Sequence, residues 1–325
     1  MATPRWTAAN LPDLSGRIAV VTGASSGLGQ VTAAELARAG AAVVLAVRDV
    51  DKGRTAAQAM AGHPQVRPLD LSSLASVRAF AASWSGDLDI LVNNAGIMQV
   101  PQGCTQDGFE LQMGTNHLGP FALTALLLPH IRSRVVTVSS QLQSGGRIHL
   151  DDLQGERRGY DALQAYRDSK LANTLFTLEL ARRLTEAGST VRVVTAHPGV
   201  ARTNLVGHVG GAAGRVYGLL GRLFNDAERG ALPTLYAATQ DIPSGSYVGP
   251  DGFNHLRGHP QVHQPAKAAR DADTARDLWK LSARLTATDT LLVAGETAQQ
   301  DAPSGVEGTA GVRPNQSGFP CTGLR

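Results

Sequence analysis

Short apolar runs alternate with longer helical patterns, without a break, from residue 17 to residue 196. This restricts the possible folds more than any other feature of the chain. A strand that returns parallel to its predecessor needs a crossover of a dozen or more residues, usually a helix. Repeating that unit builds one sheet with helices on both faces. Periodicity and punctuation predict strands at 18–22, 42–47, 66–69, 90–93, 134–139 and 191–196, with a weaker seventh at 246–248. Helical patterns lie at 28–39, 51–61, 73–83, 107–130, 161–187, 227–239 and 272–286. The expected architecture is a single doubly wound parallel α/β sheet spanning residues 17–286, after an N-terminal extension of residues 1–16.

Two stretches leave this pattern. Residues 199–226 mix Gly207, Gly210, Gly211, Gly214, Gly218 and Gly221 with Leu205, Val209, Val216, Tyr217, Leu219, Leu220, Leu223 and Phe224, as an apolar lid over a substrate would. Residues 287–325 drift to Gly, Pro, Ser, Thr and Gln and are expected to be disordered. The 30 Lys and Arg and 27 Asp and Glu residues are dispersed, which argues against a nucleic-acid partner. Two cysteines, Cys104 and Cys321, give no disulfide framework and no metal-ligand spacing, so a reducing, cytoplasmic setting is expected. With no signal-peptide core and no run of ~18 apolar residues, no membrane partner is expected.

The first strand runs directly into Gly23-Ala-Ser25-Ser26-Gly27-Leu28-Gly29 and then into a helix rich in Ala and Leu. Glycines are required where a tight turn, a close approach of backbone to pyrophosphate and a close helix contact each exclude a side chain. The free N–H groups and positive end of the helix then face the phosphates. Together with the strand pattern this marks a dinucleotide-binding (Rossmann) sheet. At the end of the second strand an acid would bind a ribose 2′-OH, whereas a cation pairs with the 2′-phosphate of NADP. Val47 occupies the acid's place, Arg48 follows, and Ser25 would add a hydroxyl to the same phosphate. NADP(H) is therefore expected over NAD(H), the alternative being a solvated Arg48 with Asp49 capping the next helix.

Tyr166 and Lys170 stand one helical turn apart on the same face. A phenol with a pKa of about 10 is a poor acid-base group at neutrality, and a neighbouring ammonium stabilises its phenolate. Ser139 and Ser140 end the fifth strand, Asn93-Asn94-Ala95-Gly96 end the fourth, and Asn116 lies in the helix that follows. All are expected at the carboxyl edge of the sheet, where ligands of this architecture bind.

In these pieces, joined by Asp70-Leu71 and by His197-Pro198-Gly199 followed by Thr203, the sequence resembles the short-chain dehydrogenase/reductase family. It looks closest to the retinol-dehydrogenase-like and WW-domain-oxidoreductase-like branch, through TNHLGPF, RIHLDDLQGE and YRDSKLANTLFTLELARRL. The resemblance implies that Ser140 hydrogen-bonds the substrate oxygen and Tyr166 exchanges its proton. It implies that Lys170 holds the nicotinamide ribose and lowers the tyrosine pKa, while Asn116 binds a water that passes protons to Lys170. Asp70 and Leu71 would flank the adenine, and Asn94, beside Ala95 and Gly96, would approach the adenosine ribose. Pro198, Gly199, Val200 and Thr203 would meet the nicotinamide end. Many members of that branch carry an N-terminal membrane anchor that is missing here, so membrane association is not expected.

The histidines, among them His117, His197, His255, His259 and His263, form no metal-ligand spacing, and no GxSxG element supports a hydrolase. Leucines on several faces of the helix from Tyr166 leave open a second subunit, in a dimer or tetramer, or plain core packing. The expected activity is hydride transfer between NADP(H) and the carbonyl/alcohol pair of an apolar small molecule (aldehyde, ketone, retinoid-like or steroid-like). The alternatives are a sugar-nucleotide epimerase or dehydratase, or a dinucleotide-binding sensor or scaffold without catalysis.

Overall fold

The computed structural model describes residues 5–199 and 226–288. Its sheet contains β1 (Ile18–Thr22), β2 (Ala42–Val47), β3 (Gln65–Pro68), β4 (Leu88–Asn93), β5 (Ile131–Val138), β6 (Arg192–Ala196), β7 (Tyr247–Pro250) and β8 (Pro260–His263). Their spatial order is β3-β2-β1-β4-β5-β6-β7-β8. Strands β1 to β7 pair in parallel, and β8 runs antiparallel to β7 at the edge. The all-parallel expectation is corrected at that edge. With only four residues and Val262 exposed, β8 carries no buried alternating face to read.

Central strands covered on both sides need apolar side chains at successive positions, and Ala19, Val20 and Val21 of β1 are all fully buried. One face is covered by α1 (Gly27–Arg38), α2 (Val50–Gln58) and α7 (Ala227–Thr239), with Leu36, Ala56 and Leu235 packed near Val21, Leu45 and Val136. The other is covered by α3 (Leu74–Ala82), α5 (Gly119–Leu127), α6 (Ala162–Glu186) and α8 (Ala272–Thr286). There Phe80, Phe121, Phe176 and Trp279 meet Val20, Leu91 and Val193. The N-terminal extension is not a loose appendage where it is described. Trp6 packs edge-on against Tyr236 of α7 at 5.3 Å, and the Leu14 N–H donates to the Ala39 carbonyl at 2.7 Å.

The single helix expected at 107–130 is instead α4 (Leu111–Met113), a five-residue π turn (Gly114–Leu118) and α5. Pro120 has no N–H, so the carbonyl four residues back, that of Asn116, loses its α-helical donor. Single π turns recur at functional sites, and this one carries Asn116.

The several apolar faces of α6 are covered from within the chain. Leu171 and Leu175 pack against Leu153 of the long β5–α6 connection and Ala275 and Leu278 of α8. Phe176 stacks on Trp279 at 5.8 Å. The leucine pattern therefore needs no partner subunit. The expected lid falls almost wholly outside the described residues, as do Val200, Thr203 and all but the first two residues of the expected tail. No helix among the described residues is long and apolar enough to cross a membrane.

Candidate active site

The strand order reverses between β1 and β4, and there a cavity of about 400 Å³ opens at the carboxyl ends of the strands. It extends from the glycine turn and Arg48 to Tyr166, Lys170 and Pro198. Gly23, Ser25, Ser26, Gly27, Leu28 and Gly29 form its first wall, and Asp70, Leu71, Asn94, Ala95 and Gly96 its second.

Two of the turn's glycines have no room for a side chain. Gly23 has a φ of +66°, and a Cβ there would lie 2.9 Å from Ala95. A Cβ on Gly29 would lie 2.6 Å from the Gly23 carbonyl oxygen and collide with the Asn94 carboxamide. Ser26, at the N-cap of α1, makes no side-chain capping bond, so the first-turn N–H groups are left for a ligand. Thr22, which opens the glycine motif but was given no role in it, fixes the facing loop. Its hydroxyl accepts from the Asn94 and Ala95 N–H groups at 3.0 Å each, and its carbonyl accepts from the Asn94 side chain at 2.8 Å. A glycine turn fitted to pyrophosphate, with a cation at the ribose end, suits a dinucleotide.

The other end of the cavity holds the reactive groups. Ser139 is buried and donates its hydroxyl to the Lys170 carbonyl at 2.7 Å, fastening β5 to α6. Ser140, the N-cap of the turn after β5, accepts from the Leu142 N–H at 3.2 Å and stands near enough to the Tyr166 phenol to lower its pKa. The structure thus gives the two adjacent serines different tasks. Lys170, buried, donates from Nζ to the Val138 carbonyl at 3.0 Å and stands 5.6 Å from the Tyr166 ring centroid. A Cβ on Gly96 would lie 3.1 Å from Asn116 Oδ1 and 3.3 Å from Lys170 Nζ, so Asn116 and Lys170 converge behind that glycine. The Asn116 side chain accepts from the Ile97 N–H at 2.8 Å and donates to the Ile97 carbonyl at 2.9 Å and to Ser169 Oγ at 3.0 Å.

Burial pushes Tyr166 up to about 12, against a lowering hydrogen bond from Ser140, and draws Lys170 down to about 8. Both shifts favour the neutral forms. The lysine alone therefore does not produce the lowered phenol pKa that the Tyr/Lys spacing suggested, because desolvation of the phenol prevails.

Reading the sequence also missed Lys52, which lines the cavity near Arg48, and Thr115, Ile97 and Met98 in its walls. Only the four-residue step from Arg48 to Lys52 could have signalled the lysine. Among the described residues no three His, Cys, Asp or Glu side chains are grouped to hold a metal ion. His197 is buried, stacked on Tyr247 at 5.1 Å, and burial pulls its pKa to about 3.

A glycine-lined crevice at the switch point of a doubly wound sheet, with a tyrosine, a lysine and a serine at its far end, defines a nicotinamide-dependent oxidoreductase. The short chain dehydrogenase profile matches residues 17–212. The chain belongs to the short-chain dehydrogenase/reductase family, in its retinol-dehydrogenase-like branch. It is 42% identical to retinol dehydrogenase 13 of Homo sapiens over 84% of this chain and 85% of that protein. It is 41% identical to polyprenol dehydrogenase of Mus musculus over 85% of each. An uncharacterised protein from Mycobacterium paratuberculosis has a solved structure with 52% identity and a TM-score of 0.77, over 87% of this chain and 98% of that one. More distant structures differ in nucleotide. A 3-ketoacyl-(acyl-carrier-protein) reductase from Brucella melitensis is complexed with NADH (27% identity, TM-score 0.57, 72% and 96% coverage). RhlG from Pseudomonas aeruginosa is complexed with NADP (28% identity, TM-score 0.59, 75% and 98% coverage).

Proposed function

We propose that this protein is an NADP(H)-dependent oxidoreductase that interconverts the carbonyl and alcohol of an apolar small molecule, an aldehyde or ketone of retinoid-like or steroid-like character. The observation that carries the reading is the meeting of Tyr166 and the buried Lys170, with Ser140 near the phenol, at one end of the dinucleotide-sized crevice. When bound, the cofactor supplies or accepts the hydride and, oxidised, brings a positive charge beside the phenol. Bringing Tyr166 from about 12 to neutrality takes roughly 7 kcal/mol at ~1.36 kcal/mol per unit. Lys170 and that charge share the task. Ser140 and Tyr166 hold the substrate oxygen, and Tyr166 gives or takes its proton. Lys170 orients the nicotinamide ribose, and the Asn116 carbonyl, without its α-helical donor, holds a water that relays protons to Lys170.

At the adenosine end, Asp70, Leu71 and Asn94 surround adenine and ribose, and Arg48 with Ser25 selects NADP(H). Val47 is buried where an acid would mark NAD, and Asp49, one residue beyond Arg48, caps α2, its Oδ1 accepting from the Lys52 N–H at 3.0 Å. The names of the retinol and polyprenol dehydrogenases favour a long apolar alcohol, and Ile97, Met98 and Pro198 give the cavity apolar walls. Pro198 and Gly199 complete the nicotinamide end, and Val200 and Thr203, expected beside them, lie outside the described residues. The test is NADPH oxidation by the full chain with a panel of retinoid, steroid and short polar carbonyls. Turnover selective for the apolar members is expected, and turnover of the polar members alone would refute the substrate class.

A further inference from the structure

Two side chains on the face of α6 turned away from Tyr166 grip the segment that follows Ser140. Gln164 and Asp168 stand one turn apart, the first two residues before Tyr166 and the second two residues after it. Two residues carry a side chain about 200° around a helix. Both therefore point away from the reactive groups, and with Arg158 they line a separate cavity of about 270 Å³. Asp168 is buried. Its Oδ1 accepts from the Arg147 N–H and from Gln164 Nε2, at 2.7 Å each, and Gln164 Nε2 also donates to the Gly145 carbonyl at 2.9 Å. Its Oδ2 lies 3.8 Å from the Arg158 guanidinium. Between these contacts Gly146 presses on the helix, where a Cβ would lie 2.6 Å from the Arg167 carbonyl oxygen.

Ser140 is bracketed by two attachments to α6. Before it, Ser139 is fastened to the Lys170 carbonyl at 2.7 Å, and after it the short turn Gln141–Gly145 runs into the grip of Asp168 and Gln164. Two backbone bonds join that grip to the serine: the Gly146 N–H donates to the Gln143 carbonyl at 2.9 Å, and the Gln143 N–H to the Ser140 carbonyl at 3.1 Å. Leu142 on the outer side of the turn is exposed, so the turn depends on its inner side for its position. The same helix carries Tyr166, and the two attachments together set the serine hydroxyl against the phenol. Burying a carboxylate is costly, and burial draws the Asp168 pKa up. We propose that Asp168, with Gln164, is a positioning residue for Ser140, fixing the serine hydroxyl relative to the Tyr166 phenol without itself touching the substrate. The inference rests on the oxidoreductase reading above and extends it to a side chain whose only mark in the sequence is its place between Tyr166 and Lys170.

The test measures the single-turnover rate of NADPH oxidation with an apolar aldehyde, and NADPH affinity by fluorescence titration. It uses the full chain as parent, Asp168→Ala, Asp168→Asn and Gln164→Ala, each also in a Ser140→Ala background. Asp168→Ala should slow the reaction roughly tenfold to a hundredfold, as a misplaced reacting group does, and leave NADPH affinity within about twofold. Asp168→Asn keeps an acceptor oxygen for the Arg147 N–H and should stay within about threefold of the parent. Gln164→Ala leaves that bond in place and frees only Gly145, so it should cost about fivefold and gives a reading even where Asp168→Ala does not fold. With Ser140 already replaced, none of the three should cost more than about twofold further, because residues that act through one group are not additive. If the alanine variants keep the parent's rate, or slow Ser140→Ala as much as they slow the parent, Asp168 does not act through Ser140. A loss in Asp168→Asn as large as in Asp168→Ala, or an equal loss of NADPH affinity, would also overturn the inference while the oxidoreductase reading stands. If the parent oxidises NADPH with no aldehyde, that reading falls and the inference with it.

Discussion

The two halves of the sheet rim recognise their ligands by different means. From β1 to β4 the wall is mostly backbone: glycines without room for a Cβ, the open first turn of α1, and a loop held by Thr22. From β5 onward the site is made by side chains whose positions depend on packing far along the chain. Lys170 and Tyr166 sit on a helix held by Leu153 from the β5–α6 connection and by α8. A backbone-built half can serve any dinucleotide, and only a few side chains at its edge choose between them. A side-chain-built half fixes the chemistry and is sensitive to distant replacements.

The largest effect expected from this contrast is at Tyr166. Tyr166→Phe should lower kcat by 10²-fold to 10⁴-fold, on the order of what a positioned acid-base group contributes, with cofactor affinity nearly unchanged. A comparable loss of NADPH affinity, measured by fluorescence titration, would show that the halves are not separable.

Next comes Phe176→Ala, far from the cavity. It should cost about 3–5 kcal/mol of unfolding free energy by denaturant titration, since the ring is buried between Phe121 and Trp279. It should also reduce turnover more than it weakens cofactor binding. Equal losses in both would erase the contrast.

A third test uses acid. His117 is buried, bonded through Nε2 to Ser282 of α8 at 2.8 Å, and burial lowers its pKa to about 4. Its folded pKa lies below the ordinary value of about 6.5, so below that value the unfolded chain binds the extra proton. Its contribution is thus complete above about pH 6.5 and is lost as the pH falls toward 4. Burial raises Glu110 and Asp168, which act in the opposite sense, so the readout is the difference between His117→Phe and the parent. Urea midpoints should fall less steeply with acid in the variant, and parallel curves would contradict the assignment. The smallest effect is expected for Arg48→Ala, which should weaken NADPH about tenfold and NADH hardly at all.

The same contrast explains what the sequence disclosed. The glycine turn was legible because its requirement is local: no other residue fits at Gly23 or Gly29. The reactive residues were legible as types at strand ends and at one-turn spacing, although the choice between Ser139 and Ser140 became physical only when Ser139 was found fastened to α6. Three things were not legible. The π turn at Asn116 interrupts a pattern that reads as one helix, β8 has too few buried residues to leave a period, and Lys52 resembles any solvated cation until the cavity is seen beside it. The breadth of apolar α6 was visible, but not that α8, about a hundred residues later, covers it.

The most direct test of the proposed chemistry is isotopic transfer from NADPH deuterated at the reactive nicotinamide carbon to an apolar aldehyde, read by mass spectrometry of the alcohol. The parent should place one deuterium on the carbinol carbon, and Tyr166→Phe, assayed alongside, should give almost none. An unlabelled alcohol from the parent, or equal labelling by both proteins, would contradict hydride transfer with Tyr166 as the proton donor.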